Sequence, residues 1–467
     1  MTTTPHAAPR KTAAVEFTGR SGGSHPATWG QADLWQMIKE QRPDDFYQLP
    51  QILPVTAGRT VDDVLDCLSR LVSRHQSLRT TFSEDQHGGL RQMIHSEGSV
   101  PVHLREVSDE TREQEEATSL MDGFMSSDPM LDRYFAPRFG VVCRDGLAKY
   151  LVIVCSHVVL DGRSERVLRA ELEALLAATP AQRADVLVPV VHQPDEQARV
   201  EALTRSRRIS QRSVAYWKTT LASAPSALLP DVDGDGRAPM WCGSLASEAI
   251  AEAEAELVGS AGLPSSALYL SATALAVGEL LGQAAMTFRI PVSNRFDKAL
   301  DRYVGNLAQS TMVIVDTGTG TFYDLVQRVD RDLMRAYFHA RYDPGEMAEA
   351  VAEITSRRAT PVDLWCLFND TRSPATRRPA GRAKGGLRLP RAVAGGSASE
   401  VSWHLLHPSS RELKLNVRIT EADGRSRLNI AANTSYLSRT TIEDALFAVE
   451  RLVVKAARGD FRPEIGS

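Results

Sequence analysis

Tyr150-Leu151-Val152-Ile153-Val154-Cys155-Ser156-His157-Val158-Val159-Leu160-Asp161-Gly162 joins an apolar run to a histidine, an acid and a glycine. The run Tyr150 to Cys155 reads as a buried strand. The stretch after Gly162 reads as a helix, because Val167, Leu168, Leu172, Leu175 and Leu176 recur on one face. Strand, turn and helix in that order predict an α/β fold with mixed sheets. His157, held just past the strand, is a candidate general base, because imidazole titrates near neutrality and can take a proton from an amine or alcohol. Asp161 can fix a turn or hold an arginine, and Gly162 permits tight entry into the helix. Taken alone, the pattern fits equally a histidine that merely satisfies a turn.

Composition bounds the rest. A chain of 467 residues suits two domains of about 200 residues each. Hydrophobic residues at 43% and charged residues at 24% are those of a soluble globular protein. A net charge of −4 gives no reason to expect nucleic acid. No apolar run approaches the ~20 residues that span a bilayer, so no membrane role is expected. Residues 1–23 are polar, lack an apolar signal-peptide core and read as a disordered tail. Cys67, Cys143, Cys155, Cys242 and Cys366 have no metal-ligand spacing, read as buried thiols and point to the cytoplasm.

Along the chain, Thr60 to His75 is an amphipathic helix with a Thr60/Asp63 cap signal, and Asp109 to Met125 an acidic one. Residues 24–180 are expected to form the first subdomain, the Pro-rich 181–198 a linker, and 199–467 the second subdomain. In that second part Ser265 to Leu281 reads as a buried helix. Met286 to Val292 and Thr311 to Val315 read as strands, Thr321 to His339 and Thr440 to Ala457 as helices. Alternation either side of Asp423-Gly424 predicts a hairpin. Residues 371–397 hold seven basic residues and no acid. They include Arg372, Arg377, Arg378, Arg382 and Lys384, and form either a mobile solvated loop or an electrostatic contact for an acidic partner.

Several segments then converge. Gln31-Ala32-Asp33-Leu34-Trp35, Arg74-His75-Gln76-Ser77-Leu78-Arg79-Thr80-Thr81-Phe82, Ser156 to Gly162, Tyr216-Trp217, and Pro291-Val292-Ser293-Asn294-Arg295 with Val304-Gly305 occur in that order, followed by Asn369. Together they resemble the condensation domains of nonribosomal peptide synthetases, in the chloramphenicol-acetyltransferase-like superfamily, over residues 27–458. The resemblance implies two acetyltransferase-like subdomains arranged as a V-shaped pseudo-dimer with a central tunnel. Carrier proteins would dock at its mouths and present thioesters on 4′-phosphopantetheine. It implies that His157 is the catalytic histidine, that Asp161 is structural and paired bidentately with Arg295, and that the Gly162 N–H stabilises an oxyanion. No bound cofactor or metal is implied. The chain departs from the pattern where Ser156 replaces the first motif histidine and Gln309 replaces an asparagine. Ser156, Gln309 and Asn369 are candidate substrate-binding residues, and Ser156 could be packing or could make room for a bulkier substrate. Arg377, Arg378, Arg382 and Lys384 are candidate partner-binding residues. His75, His339 and His404 read as structural.

The function so implied is a free-standing condensation enzyme. It would join an acyl or aminoacyl thioester on a peptidyl or acyl carrier protein to a small-molecule amine or alcohol, giving an amide or an ester, as a monomer. The rivals are an acyl-CoA-dependent acyltransferase of the same superfamily and a catalytically inactive, partner-recruiting domain. The D-F-G-W-G segment of plant-type acyl-CoA enzymes is missing from the sequence.

Overall fold

A computed structural model describes residues 10–40, 47–127, 130–227, 229, 238–372, 399–406, 413–422 and 424–459. The chain divides into two compact units, Met1–Arg207 with Ser293–Gln309, and Arg208–Val292 with Ser310–Ser467.

The first unit contains β1 (Arg10–Thr18), β2 (Gly23–Pro26), α1 (Trp29–Glu40), β3 (Gln48–Pro54), α2 (Val61–Arg74), β4 (Thr80–Glu84), β5 (Leu90–Ile94) and β6 (Glu97–Glu106). It continues with α3 (Glu113–Met125), β7 (Pro137–Arg144), β8 (Leu147–Ser156), α4 (Gly162–Ala177) and α5 (Pro194–Glu201). A mixed sheet runs β1-β6-β7-β8-β3, beside a small sheet β2-β5-β4. The run Tyr150–Cys155 in β8 is apolar at every position because both faces of the sheet are covered. Leu151 and Cys155 join the cluster built with α2 and α4, whereas Val152 and Val154 join the cluster under α3. Asp145 and Gly146, both with positive φ (55° and 75°), make the tight turn between β7 and β8.

Two sequence-based expectations are corrected here. Residues 10–18 are not a disordered tail. They form β1, antiparallel to β6, with Val15 and Phe17 buried; of the span 1–23, residues 1–9 lie outside the described residues. The span 181–198 is not a free linker, because Arg183 is buried between Asp63 and Asp66 and Pro194 starts α5. The division between units falls later, at Arg207/Arg208, inside α6 (Thr204–Ser223), and residues 293–309 return to the first unit.

The second unit contains β9 (Met240–Ala246), α7 (Glu248–Gly259), α8 (Ser265–Leu281), β10 (Ala285–Val292), β11 (Gln309–Asp316), α9 (Phe322–Tyr337) and α10 (Pro344–Arg357). It ends with β12 (Cys366–Asp370), β13 (Glu400–Leu406), β14 (Leu415–Ala422), β15 (Arg425–Asn433) and α11 (Arg439–Ala457). Its mixed sheet runs β11-β10-β12-β14-β15-β9-β13. α8 is apolar on nearly every side and is accordingly buried from Ala267 to Gly278. Gly282, at φ 70°, ends it in the left-handed region. α7, α8, α9 and α11 share one core with the sheet, while α6 and α10 enclose a second one around Trp217, Met312, Tyr342 and Met347.

Candidate active site

β8 ends at Ser156 and α4 starts at Gly162, so His157 sits on a short turn shaped by its neighbours. Ser156 Oγ accepts the Val158 N–H at 3.2 Å, and the Ser156 carbonyl accepts the Val159 N–H at 3.2 Å. The His157 N–H donates to the Tyr47 carbonyl at 2.6 Å. Val158, Val159 and Leu160 are buried and anchor the turn, leaving His157 half-buried. Ser156 is itself buried, with its hydroxyl engaged in shaping this turn.

Asp161 is the knot of the site. It is the N-cap of α4, its Oδ1 accepting the N–H groups of Arg163 (3.1 Å) and Ser164 (2.8 Å). Arg295 Nη2 lies 2.7 Å from Oδ1 and 2.8 Å from Oδ2, and Oδ2 also accepts the Leu307 N–H at 3.1 Å. Arg295 Nη1 donates to the Leu300 and Tyr303 carbonyls at 2.8 and 2.9 Å. The pairing with Arg295 is therefore present, but one nitrogen reaches both carboxylate oxygens where a two-nitrogen fork was expected. The second nitrogen is committed to holding the 293–309 segment. Both side chains are under 5% exposed, so the charges sit where an unpaired one would be costly.

Residues without a motif signal complete this anchor. Ser164, fully buried on the first turn of α4, lies 2.8 Å from Arg295 Nη2, 3.0 Å from the Gly305 N–H and 2.7 Å from the Gly305 carbonyl. Its single proton goes to the Gly305 carbonyl or to Asp161 Oδ1 at 2.9 Å. Asn294 takes a left-handed φ of 54°, donates to the Leu307 carbonyl at 3.0 Å and turns the chain just before Arg295. The Arg295 guanidinium lies 5.3 Å from the centre of the Tyr303 ring. Burial pushes the Tyr303 hydroxyl far above its ordinary pKa, so it stays neutral. Serine at a helix N-terminus and asparagine before an arginine are too common to single out from sequence.

Gly162 opens α4 but has no positive φ, and a Cβ there would meet nothing within 4 Å. Neither backbone nor packing demands glycine, so the tight-entry reading is corrected. Glycine leaves open space at an exposed first turn, and its N–H is not among those that the Asp161 cap accepts.

The remaining motif residues have structural partners. His75 Nε2 lies 2.7 Å from Glu171 Oε2, which Arg74 Nε also reaches at 3.0 Å. Arg79 is buried against the Ser21 and His95 carbonyls, and Trp35 Nε1 donates to Glu84 at 2.8 Å. Gln309 is buried at the start of β11, and Asn369 is half-buried on β12 opposite Arg418 of β14. Arg377, Arg378, Arg382 and Lys384 lie outside the described residues. Arg372 is not part of a solvated basic loop: it is buried and bonded to Asp370, Glu254, Ser265 and Ser426. The five cysteines are free thiols, four of them buried. Among the described residues no cluster of three or more His, Cys, Asp or Glu could hold a metal, and no helix is long and apolar enough to cross a membrane.

Comparison with known proteins bears on this arrangement. The family model described as Condensation domain matches residues 23–459. A probable non-canonical nonribosomal peptide synthetase, CymA, of Salinispora arenicola is 28% identical over 326 residues, which cover 67% of this chain and 4% of that protein. The beauvericin nonribosomal cyclodepsipeptide synthetase of Beauveria bassiana is 26% identical over 329 residues, or 66% of this chain and 10% of that protein. The chain thus spans a tenth or less of these two relatives. Among solved structures, one concerned with condensation domain-mediated chain release from the enacyloxin polyketide synthase superposes with a TM-score of 0.70 at 16% identity, covering 96% of this chain and 85% of that one. The epimerization domain from the third module of tyrocidine synthetase B superposes with a TM-score of 0.72 at 15% identity, covering 95% and 99%. At those identities the structures establish the chloramphenicol-acetyltransferase-like fold. The family match, which begins at β2 and runs past α11, establishes the rest: this chain belongs to the condensation domain family.

Proposed function

We propose that the chain catalyses condensation, joining an acyl or aminoacyl thioester on the 4′-phosphopantetheine of a separate carrier protein to a small amine or alcohol. The observation that carries this reading is the turn at His157. An imidazole is held half-buried on a turn fixed by main-chain bonds, with three buried residues, Val158 to Leu160, leading from it to the Asp161–Arg295 anchor. In the reaction the acceptor nitrogen or oxygen attacks the thioester carbonyl, and His157 takes the proton that the nucleophile sheds. The carbonyl oxygen becomes an oxyanion, which the Gly162 N–H at the α4 N-terminus stabilises. Collapse breaks the C–S bond, and the proton held by His157 passes to the leaving thiolate. An amide or ester and a free pantetheine thiol result. An alcohol depends on the base more than a neutral amine does, because its proton is far less acidic. Asp161 and Arg295 act here as architecture and exchange no protons.

The test is mass spectrometry of an acyl-loaded carrier protein incubated with the chain and a panel of amines and alcohols, with His157→Ala in parallel. Transfer that falls by about 10²–10⁴ in the variant supports His157 as the base. The responding nucleophile decides amide against ester. Transfer from acyl-CoA but not from the carrier would favour the acyl-CoA reading. No transfer, with carrier binding retained, would favour a recruiting domain.

A further inference from the structure

The second unit contains a groove of about 550 Å³ between α6, β11 and the end of α9. Its walls carry Arg212 and Tyr216 from α6, Val313 and Ile314 from β11, and Arg335 and His339 from α9 and the residues just after it. The charge on α6 is unusual for a surface helix. Its twenty residues include four arginines and a lysine and no acid, so no cation has an intrahelical carboxylate to pair with. Arg212 on α6 and Arg335 on α9 both line the groove, and neither makes an ion pair among the described residues. Both act on the same imidazole: burial first, then the charges of Arg335 and Arg212, push the His339 pKa down. The His339 ring is stacked on Tyr216 at 4.6 Å with an interplanar angle of 9°, and its Nδ1 is buried without a hydrogen-bond partner. Tyr216 is fixed in turn by donating to the Met312 carbonyl at 2.9 Å, with the Arg335 guanidinium 5.9 Å from its ring centre.

Two guanidiniums without an ion pair among the described residues, in a groove that also holds the Tyr216 and His339 rings, attract an anion, and the planar donor fork suits an oxyanion. The volume exceeds that of a lone inorganic ion, and Ala215, Val313 and Ile314 offer apolar surface along it. Asp332, the one acid among the lining residues, opposes an anion but stands against the two guanidiniums and is itself held near Arg335, Arg331 and Arg328. We propose that this groove is a binding site for a small amphiphilic oxyanion, a carboxylate or phosphate monoester with an apolar body, whose head is clamped by Arg212 and Arg335.

The proposal is independent of the condensation reaction. It is tested by isothermal titration of the full chain with octyl phosphate, octanoate and octanol, on the natural sequence and on Arg212→Gln/Arg335→Gln. Both guanidiniums are on exposed positions, so the double variant should keep its fold, checked by its melting temperature. The expected result is saturable binding of at least one of the two anions, weakened tenfold or more by the double substitution and by loss of the head-group charge in octanol. Binding of octyl phosphate alone would assign the site to phosphate esters, and binding of octanoate alone to carboxylates. No anion binding at millimolar concentration, equal binding by the double variant, or octanol binding as tightly as the anions would each overturn it. The transfer assay with His157→Ala reads a different site, so either result there leaves this one standing or falling by itself.

Discussion

Asp161 accepts hydrogen bonds from two helix amides, one distant amide and a buried guanidinium, and this crowding decides what its removal does. Asp161→Ala takes away the α4 cap, worth about 1 kcal/mol, and strands Arg295 as a buried charge. Breaking such a pair from one side typically costs about 3–5 kcal/mol. The expected outcome is a large loss of stability in urea unfolding, or loss of soluble protein. A variant of unchanged stability that lacked only transfer activity would contradict the structural role given to Asp161. Ser164→Ala is the subtler probe. It leaves the buried Gly305 amide short of a partner, at about 1–3 kcal/mol, and keeps the ion pair, since Arg295 Nη2 still reaches both Asp161 oxygens. If Ser164 positions the site, kcat falls with KM little changed, while Ser164→Thr, which keeps the hydroxyl, recovers part of the rate. The Asp161–Arg295 pair was legible because both residues sit in segments resembling one family. Ser164 and Asn294 were not, because their importance comes from contacts across 131 residues of sequence in one case and from a single φ in the other.

At the scale of elements, α2 and α4 are clasped by Glu171, which receives Arg74 and His75 from the end of α2. Burial holds the His75 pKa below its ordinary value, so the ring is neutral in the fold, with the Nε2 proton donated to Glu171 and Nδ1 left as acceptor. Burial by itself pushes the Glu171 carboxyl up, but the hydrogen bond from His75 and the charge and hydrogen bond of Arg74 outweigh it and hold it well below its ordinary value, at about 2. The signs agree. A histidine whose pKa is lowered by folding favours the fold above its ordinary pKa of 6.5, and that contribution is lost as the unfolded chain takes up the proton below it. Glu171 contributes stability above its ordinary 4.5, lost as pH falls from there towards about 2. Stability should therefore decline through His75 as pH falls below 6.5, by at most about 1.4 kcal/mol per pH unit, before Glu171 is reached. His75→Gln, which can still donate to Glu171, is expected to flatten that first slope in urea midpoints measured against pH. An unchanged slope would mean that His75 does not titrate between the two states. The other end of α2 carries the Thr60/Asp63 capping box, and Thr60→Ala should cost about 1 kcal/mol by the same unfolding measurement. Elements such as α2, α8 and the β14–β15 hairpin were legible because one periodicity dominates each of them. β1 was hidden because only Val15 and Phe17 of its side chains are deeply buried in an otherwise polar stretch.

At the scale of the whole molecule, chain order and spatial order part company. Proline content suggested a boundary at 181–198, but proline marks local backbone, and here Pro194 begins a helix within the first unit. Nothing in composition signals that 293–309, more than eighty residues into the second half, returns to complete the first unit. The bonds that hold it are long-range and polar: Arg295 to Asp161, the Leu307 amide to Asp161, Ser77 Oγ to the Val304 carbonyl at 2.8 Å, and Asn306 Nδ2 to the Gly30 carbonyl at 3.1 Å. Val304 also belongs to the same apolar cluster as Leu68, Leu71 and Val159. A fragment ending at Arg207 keeps every strand of the first unit's sheets, yet it exposes that cluster and leaves Asp161 a buried carboxylate without its counter-charge. Loss of that partner alone is worth about 3–5 kcal/mol, a large share of the roughly 5–15 kcal/mol that stabilises a domain. Residues 1–207 expressed alone should therefore lack a cooperative urea transition. Asp161→Asn in that fragment should recover part of it, because a neutral amide costs less to bury than an unpaired carboxylate. A fragment 1–207 that unfolds cooperatively without the substitution would show that the first unit does not depend on 293–309. The Asp161–Arg295 pair would then serve the geometry of the His157 turn and not the folding of the unit that carries it.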